Sequence, residues 1–222
     1  MSGKNIAGTV AYLATIPESE MERTMSYSII GTGTVGKTLA AFFARAGIAV
    51  ALANTRAPEA VEPVAKELGG KVAAKSLDKA LEADIIFFAV PFLNFKDVGS
   101  VKSDWAGKII VDVTNAHLLP QEVQDRELQG RLSSEVNAER VPGAKLVKAF
   151  NQLPMKVLSS PVPDGGRRVV FISSDHGDAS AEVARLAEKL GFAPIEVGKV
   201  AEGGRLIQAR NALVFQDLIK FG

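Results

Sequence analysis

The feature that most constrains the fold is a glycine-rich run between a strand and a helix. Residues 26–30 form a short apolar strand pattern, and residues 34–46 carry apolar side chains at helical spacing. The run matches G-x-G-x-x-G and consists of Gly31, Thr32, Gly33, Thr34, Val35 and Gly36. In such a unit the glycines allow a tight turn, close approach to a pyrophosphate and close helix–strand packing. The sequence therefore predicts a dinucleotide site here; the alternative is a structural turn.

The end of the second predicted strand indicates which dinucleotide is bound. Sites that prefer NAD place an Asp or Glu about 20 residues past the turn, where it accepts hydrogen bonds from the ribose. Here the sequence is Asn54-Thr55-Arg56, with no carboxylate before Glu59. A threonine hydroxyl and a guanidinium can bind a 2′-phosphate, which a carboxylate would repel. We therefore expect Asn54, Thr55 and Arg56 to contact NADP(H). The alternative for Arg56 is a solvated loop charge.

The rest of the chain alternates strand patterns with helix patterns, which predicts an α/β fold. Predicted strands cover residues 26–30, 48–53, 71–74, 84–90, 108–113, 145–150, 168–173 and 194–197. Predicted helices cover residues 34–46, 57–68, 77–82, 133–139, 178–190 and 202–220. Apolar strands of this kind are buried on both faces of a mostly parallel sheet. The expected fold is Rossmann-like and doubly wound, with helices on both faces and a small C-terminal helical addition.

The predicted organisation has three parts. Residues 1–24 form an N-terminal extension of unknown role, residues 25–200 the NADP-binding domain, and residues 201–222 a C-terminal helix. That helix carries apolar residues over too wide a surface for a single stripe, which favours packing in its own domain or a homodimer contact. The longest segment predicted to be irregular is 116–130, and long loops in compact domains are often functional.

Composition excludes several classes of function. The chain has 26 Lys and Arg against 25 Asp and Glu, so we expect no nucleic-acid partner. No apolar run is long enough for a membrane span. With no Cys and only two His, the sequence predicts no thiolate or multi-histidine metal site and fits a cytoplasmic location.

Five segments together resemble a known family, the NADPH-dependent coenzyme F-420 reductases and their bacterial dinucleotide-binding relatives. The cytosolic oxidoreductase domain of the six-transmembrane metalloreductases is similar. The segments are 31–36, 54–56, 88–92, 111–115 and 148–151. The resemblance implies that Ala89, Val90 and Pro91 line the cofactor, and that Asn115 and Asn151 lie near the nicotinamide and the substrate. One departure is Ala116, where the family usually has proline.

The resemblance implies hydride transfer between NADP(H) and a flavin or deazaflavin, a small-molecule redox acceptor. Related hydroxyacid dehydrogenases carry a large helical substrate domain with a proton donor, and the sequence after Asn151 has no counterpart of it. A ring acceptor can take its proton from solvent, so orientation dominates and no catalytic acid is predicted. His117 is either a substrate contact or a solvated loop residue. Two alternatives remain: a reductase of a small carbonyl or imine compound, and a non-catalytic NADPH-binding regulator.

Overall fold

The computed structural model describes residues 25–222, and the predicted extension 1–24 lies outside the described residues. The strands are β1 (Tyr27–Ile30), β2 (Val50–Ala53), β3 (Val72–Ala74), β4 (Ile85–Phe88), β5 (Ile109–Asp112), β6 (Lys145–Ala149), β7 (Gly166–Ser174), β8 (Ala193–Glu196) and β9 (Ile219–Phe221). They form one sheet in the order β3-β2-β1-β4-β5-β6-β7-β8, with β9 paired to β7. The first six are parallel, and their order is that of dinucleotide-binding sheets. β7 runs antiparallel to β6 and parallel to β8.

Helices connect the strands. The α-helices are α1 (Thr34–Arg45), α2 (Glu62–Leu68), α3 (Leu77–Ala80), α4 (Phe95–Gly99), α5 (Gln121–Leu128), α6 (Ser133–Glu139), α7 (Met155–Leu158), α8 (Gly177–Lys189) and α9 (Arg205–Ile207). Short 3₁₀ turns occupy Pro58–Ala60, Phe92–Asn94 and Ala116–Leu118. The predicted Rossmann-like fold is confirmed, and strand boundaries shift by a few residues at most.

The core has two layers because neighbouring residues of a buried strand face opposite sides of the sheet. In β4, Ile85 and Phe87 belong to the larger apolar cluster, and Ile86 and Phe88 belong to the other. All four are buried. This explains why the β4 sequence is a continuous apolar run, and it makes β1 and β4 a rigid base for the loops that follow them.

The predicted helix over 202–220 is wrong. The segment forms a π-helical turn (Val200–Gly204), the short helix α9, a run of turns and the strand β9. A Cβ at Gly203 would lie 2.1 Å from the carbonyl oxygen of Val197, so this glycine serves close packing. Two residues with left-handed backbone, Arg210 (φ 70°) and Phe215 (φ 65°), reverse the chain. The apolar residues of the segment are therefore spread over turns and a strand, and it joins the main sheet through β9.

The segment 116–130 was predicted to be irregular, and this is also wrong for most of its length. A 3₁₀ turn is followed by α5, which ends at Gln129 in the left-handed conformation. None of the residues of α5 is buried. The helix pattern was therefore hard to recognise, because it has no continuous apolar stripe.

Within residues 25–222, no helix is long and apolar enough to cross a bilayer. The same part of the chain contains no group of three or more His, Cys, Asp or Glu side chains placed to hold a metal ion.

Candidate functional site

Two glycines of the β1–α1 turn are fixed by the packing of the fold itself. Gly31 has φ +126°, and a Cβ there would lie 2.2 Å from the carbonyl oxygen of Ala89. A Cβ on Gly36 would lie 1.9 Å from the carbonyl oxygen of Gly31. These glycines therefore hold the turn against the end of β4 and the start of α1, whether or not a ligand is bound.

Gly33 is different, because nothing lies within 4 Å of the position of its Cβ. It is the N-cap of α1, its backbone is extended (φ −75°, ψ −173°), and no side chain caps the helix. The N–H groups of the first turn of α1 thus face open space, where the helix dipole favours an anion. Packing gives no reason for a glycine here, whereas a pyrophosphate lying against the backbone does. The cradle fits a dinucleotide.

Asn54 ties the end of β2 to the glycine-rich turn. Its Nδ2 donates to Thr32 Oγ1 at 3.2 Å, and its Oδ1 accepts from the backbone N–H of Arg56 at 2.8 Å. The side chain of Asn54 is buried, while Thr55 and Arg56 are exposed. The structure therefore places an exposed hydroxyl and an exposed guanidinium just beyond the turn, with Asn54 shaping the loop that presents them.

A cleft of about 340 Å³ opens at the carboxyl ends of β1 and β4. These strands are neighbours in the sheet, but the strand that follows β1 lies on one side of the pair and the strand that follows β4 lies on the other. Ligands of open α/β sheets bind at such a switch point. We call this cleft the cofactor lobe. Its lining includes Gly33, Thr34, Val35, Ala89, Val90, Pro91, Phe92, Val113, Thr114, Asn115, His117 and Leu118. Seven of the fourteen predicted site residues, from the glycine-rich turn, the end of β4 and the end of β5, thus line one cavity.

A second cavity of about 250 Å³ adjoins the first, and we call it the acceptor lobe. The two share Val35, Val113, Asn115 and His117 as walls. The rest of the acceptor lobe is lined by Phe150, Asn151, Leu153, Pro154, Met155, Val214 and Phe215. Asn151 thus lies in the acceptor lobe and not in the cofactor lobe. Val214 and Phe215 were missed as site residues, because a helix was predicted where they form a turn.

Two asparagines join three segments at the boundary between the lobes. Asn115 Nδ2 donates to the carbonyl oxygen of Asn151 at 3.0 Å, and Asn151 Nδ2 donates to Asn115 Oδ1 at 3.1 Å. Asn151 Nδ2 also donates to the carbonyl oxygen of Ile207 at 2.7 Å. The Oδ1 atom of Asn151 is buried and has no hydrogen-bond partner among the described residues. The pair fixes the loops after β5 and β6 and leaves one acceptor atom unused.

Behind this pair lies a buried ionic network that sequence reasoning missed. Lys148 Nζ is 3.1 Å from Asp112 Oδ2, and both side chains are essentially inaccessible to solvent. Asp112 also accepts from Thr114, through its N–H at 2.9 Å and its hydroxyl at 2.7 Å, and from Asn137 Nδ2 at 3.1 Å. Lys148 donates to the carbonyl oxygen of Thr114 as well. Burial lowers the pKa of Lys148, and the charge of Asp112 opposes that shift.

This network holds the backbone between β5 and Asn115 in place. The sequence does carry a signal for this ion pair. Two strand patterns that are otherwise apolar each contain one charged residue, Asp112 and Lys148, and charged residues are rarely buried unless they are paired. A second missed residue is Arg140, which donates to the carbonyl oxygen of Phe92 at 3.3 Å and to Asn137 Oδ1 at 3.0 Å. It supports the cofactor lobe from behind.

His117 is the titratable side chain shared by the two lobes. Its Nδ1 atom is buried and has no hydrogen-bond partner within the described part of the chain. Burial lowers the pKa of His117, and the nearby positive charge of Arg210 lowers it further. Both effects favour the neutral form of the imidazole.

Known proteins resemble this chain both in sequence and in structure. The family model of coenzyme F420-dependent NADP oxidoreductases matches residues 26–116, which include the glycine-rich turn and most of the cofactor lobe. A hypothetical protein of Sinorhizobium meliloti is 42% identical, with a TM-score of 0.81, over 88% of this chain and 96% of that one. The nucleotide-binding half of this chain is therefore similar to the NADP-dependent oxidoreductases of that family, and NADP(H) is the cofactor that this half of the chain fits.

Three further proteins are similar to this chain. A protein of Arthrobacter sp. FB24, described as a candidate F420-dependent NADP-reductase, is 25% identical with a TM-score of 0.66 over 81% of this chain and 88% of that one. The metalloreductase STEAP3 of Rattus norvegicus is 30% identical over 174 residues. This chain spans about a third (34%) of its length. An imine reductase of Aspergillus terreus is 20% identical with a TM-score of 0.56, over 81% of this chain and 57% of that one, and shares the fold.

Proposed function

We propose that this oxidoreductase transfers a hydride between NADP(H) and a planar ring acceptor of the flavin or deazaflavin class. The observation that carries the proposal is the acceptor lobe. It opens from the cofactor lobe, and its lining is apolar and amide side chains with a single titratable group, His117. Such a lining can hold a ring by shape and hydrogen bonds but offers little acid–base chemistry.

The residues that would hold the dinucleotide divide into three groups. The backbone of Gly31, Thr32, Gly33, Thr34, Val35 and Gly36 would cradle the pyrophosphate at the open N-terminus of α1. Thr55 and Arg56, presented by Asn54, would bind the 2′-phosphate. Ala89, Val90, Pro91 and Asn115 would line the path of the nicotinamide riboside.

NADPH would supply the hydride and become NADP⁺, while the ring takes up the electron pair with that hydride and a proton from solvent. The protein would contribute orientation: the asparagine pair and the buried Asp112–Lys148 network hold the boundary between the lobes rigid.

The main alternative, reduction of a carbonyl or imine compound, needs a group that donates a proton. His117 is the one titratable residue in the lining of the acceptor lobe, and burial lowers its pKa, which favours the neutral imidazole over the proton-donating form. The likeness to imine reductases concerns the fold and does not favour their chemistry. The geometry therefore supports a ring acceptor better.

The test is steady-state oxidation of NADPH with riboflavin, FMN, FAD and coenzyme F-420, beside a panel of aldehydes, ketones and imines. We expect turnover with at least one ring and none with the carbonyl or imine panel. Turnover restricted to that panel, and abolished by His117→Ala, would replace the proposal with the alternative. Binding of NADPH without turnover of any compound would favour a regulator.

We also propose that the chain forms a homodimer in the cytoplasm. Exposed apolar side chains cluster in its last segment: Leu206, Phe215, Leu218 and Phe221. Apolar patches on soluble domains often mark protein interfaces. The absence of Cys fits a reducing compartment.

A further inference from the structure

The C-terminal segment contributes an aromatic side chain to the acceptor lobe in an unusual way. Phe215 has a left-handed backbone, with φ 65°. The residue lines the acceptor lobe and is nonetheless 65% exposed. A bulky residue in this backbone region is strained, and an exposed ring gains little from burial. Glycine or asparagine would suit the turn better, so the fold alone does not explain a phenylalanine here.

The position of Phe215 is nevertheless well fixed. Its backbone N–H donates to the carbonyl oxygen of Gln152 at 2.8 Å, which ties the turn to the loop after β6. The preceding residue, Val214, is buried and anchors the turn. Phe215 therefore belongs to the part of the acceptor lobe that the cofactor lobe does not share, since the shared residues are Val35, Val113, Asn115 and His117.

We infer that Phe215 is the residue on which the acceptor ring stacks, and that it determines the preference for planar rings. The inference rests on the proposed function and names the part of the site that selects its substrate. Aromatic rings favour offset-stacked or edge-to-face contacts with one another, and a ring between Phe215 and the nicotinamide would cover the face that is exposed in the free protein. Strained residues are retained where function needs their position.

The experiment measures ring binding directly and does not depend on turnover. The protein is saturated with NADP⁺ and titrated with riboflavin, FMN or coenzyme F-420, and the change in ring fluorescence gives the Kd. We expect Phe215→Ala to raise the Kd of the ring about five- to tenfold and Phe215→Tyr to keep it near the unaltered value. The Kd of NADPH should not change in either variant.

Two further variants separate this role from a structural one. Phe221→Ala removes another exposed aromatic side chain of the same segment, which is 59% exposed and lies outside the lobe, and it should leave ring binding unchanged. Phe215→Gly relieves the left-handed backbone, so it should keep or raise the melting temperature while weakening ring binding like Phe215→Ala. A fall in melting temperature in Phe215→Gly, with ring binding retained, would show a structural role and overturn the inference.

Different results would overturn the role of Phe215 and the proposed ring acceptor. Ring binding that is equal in the unaltered protein and in Phe215→Ala overturns the role of Phe215 and leaves the ring acceptor standing. If NADPH binds normally and none of the three rings binds, the ring acceptor is wrong, and the role of Phe215 falls with it.

Discussion

Serine should have opposite effects at two of the three glycines of the β1–α1 turn, Gly33 and Gly36, and this contrast gives a direct test of the dinucleotide cradle. Gly33 has the extended backbone that an N-cap residue adopts, and nothing lies within 4 Å of its Cβ position. Serine is a good N-cap residue, so Gly33→Ser should cap α1 and stabilise the fold by a few tenths of a kcal/mol, about 0.3. The same side chain would occupy the space against the backbone in which the pyrophosphate lies.

The expected loss of binding can be estimated from the contacts at stake. A hydrogen bond to a charged group contributes about 1.5–3 kcal/mol, so loss of two N–H contacts to the pyrophosphate costs about 3–6 kcal/mol. The Kd of NADPH should therefore rise by about 100-fold or more. The control is Gly36→Ser, whose Cβ would lie 1.9 Å from the carbonyl oxygen of Gly31. Overpacking of this kind costs about 1–3 kcal/mol or more, so this variant should lose stability.

The assay pairs urea unfolding, followed by circular dichroism, with calorimetric titration of NADPH. The expected pattern is normal stability without binding for Gly33→Ser, and lowered stability for Gly36→Ser. Near-normal NADPH affinity in a folded Gly33→Ser protein would refute the assignment of this turn as the pyrophosphate cradle.

Four other predictions concern separate parts of the molecule. Arg56→Ala should weaken NADPH binding about 10- to 150-fold by removing a charged hydrogen bond, and leave NADH binding nearly unchanged; equal affinities for the two cofactors in the unaltered protein would contradict this. Lys148→Met should cost about 3–5 kcal/mol in the free energy of unfolding because it strands the buried charge of Asp112, and adding Asp112→Leu should recover part of that loss in urea melts. Burial lowers the pKa of His117, so the folded protein binds its proton less readily than the unfolded chain. Stability should therefore fall as the pH drops below about 6.5, and His117→Ala should reduce that slope. Light scattering at micromolar concentration should give twice the chain mass, and a single-chain mass would remove the homodimer.

The cofactor half of the site was predictable because its determinants are local in the sequence. The strand, the three glycines and the helix that define the cradle lie within residues 26–46. The loop 54–56 is held by two hydrogen bonds of Asn54, one to Thr32 in the turn and one from the backbone of Arg56. Pro91 and Asn115 follow strands whose apolar runs are unmistakable. Because the strands are parallel, their carboxyl ends meet at one edge, and the structure brings these residues to one cleft.

The acceptor half was not predictable in the same way, because it is made by contacts between distant segments. Asn151 was identified as a site residue, but its bond to Ile207 and the wall formed by Phe215 depend on the path of the C-terminal turns. That path is set by left-handed residues and by packing of glycine against backbone, neither of which has a periodic pattern. A wide apolar surface was interpreted as a helix, although the same residues are divided between turns and a strand.

This division of the molecule has a consequence for substrate choice. The asparagine pair, the Asp112–Lys148 ion pair and the sheet make the boundary between the lobes rigid on the side of the cofactor. The wall of the acceptor lobe that residues 214 and 215 form rests on the backbone hydrogen bond from Phe215 to Gln152 and on the burial of Val214. Substitution of the exposed Phe215 can therefore reshape the acceptor lobe at little cost to the sheet, whereas Ile207 packs in the core against Val169 and Phe171. Specificity for the acceptor should change with this wall, while specificity for the cofactor should remain with the loop that carries Arg56.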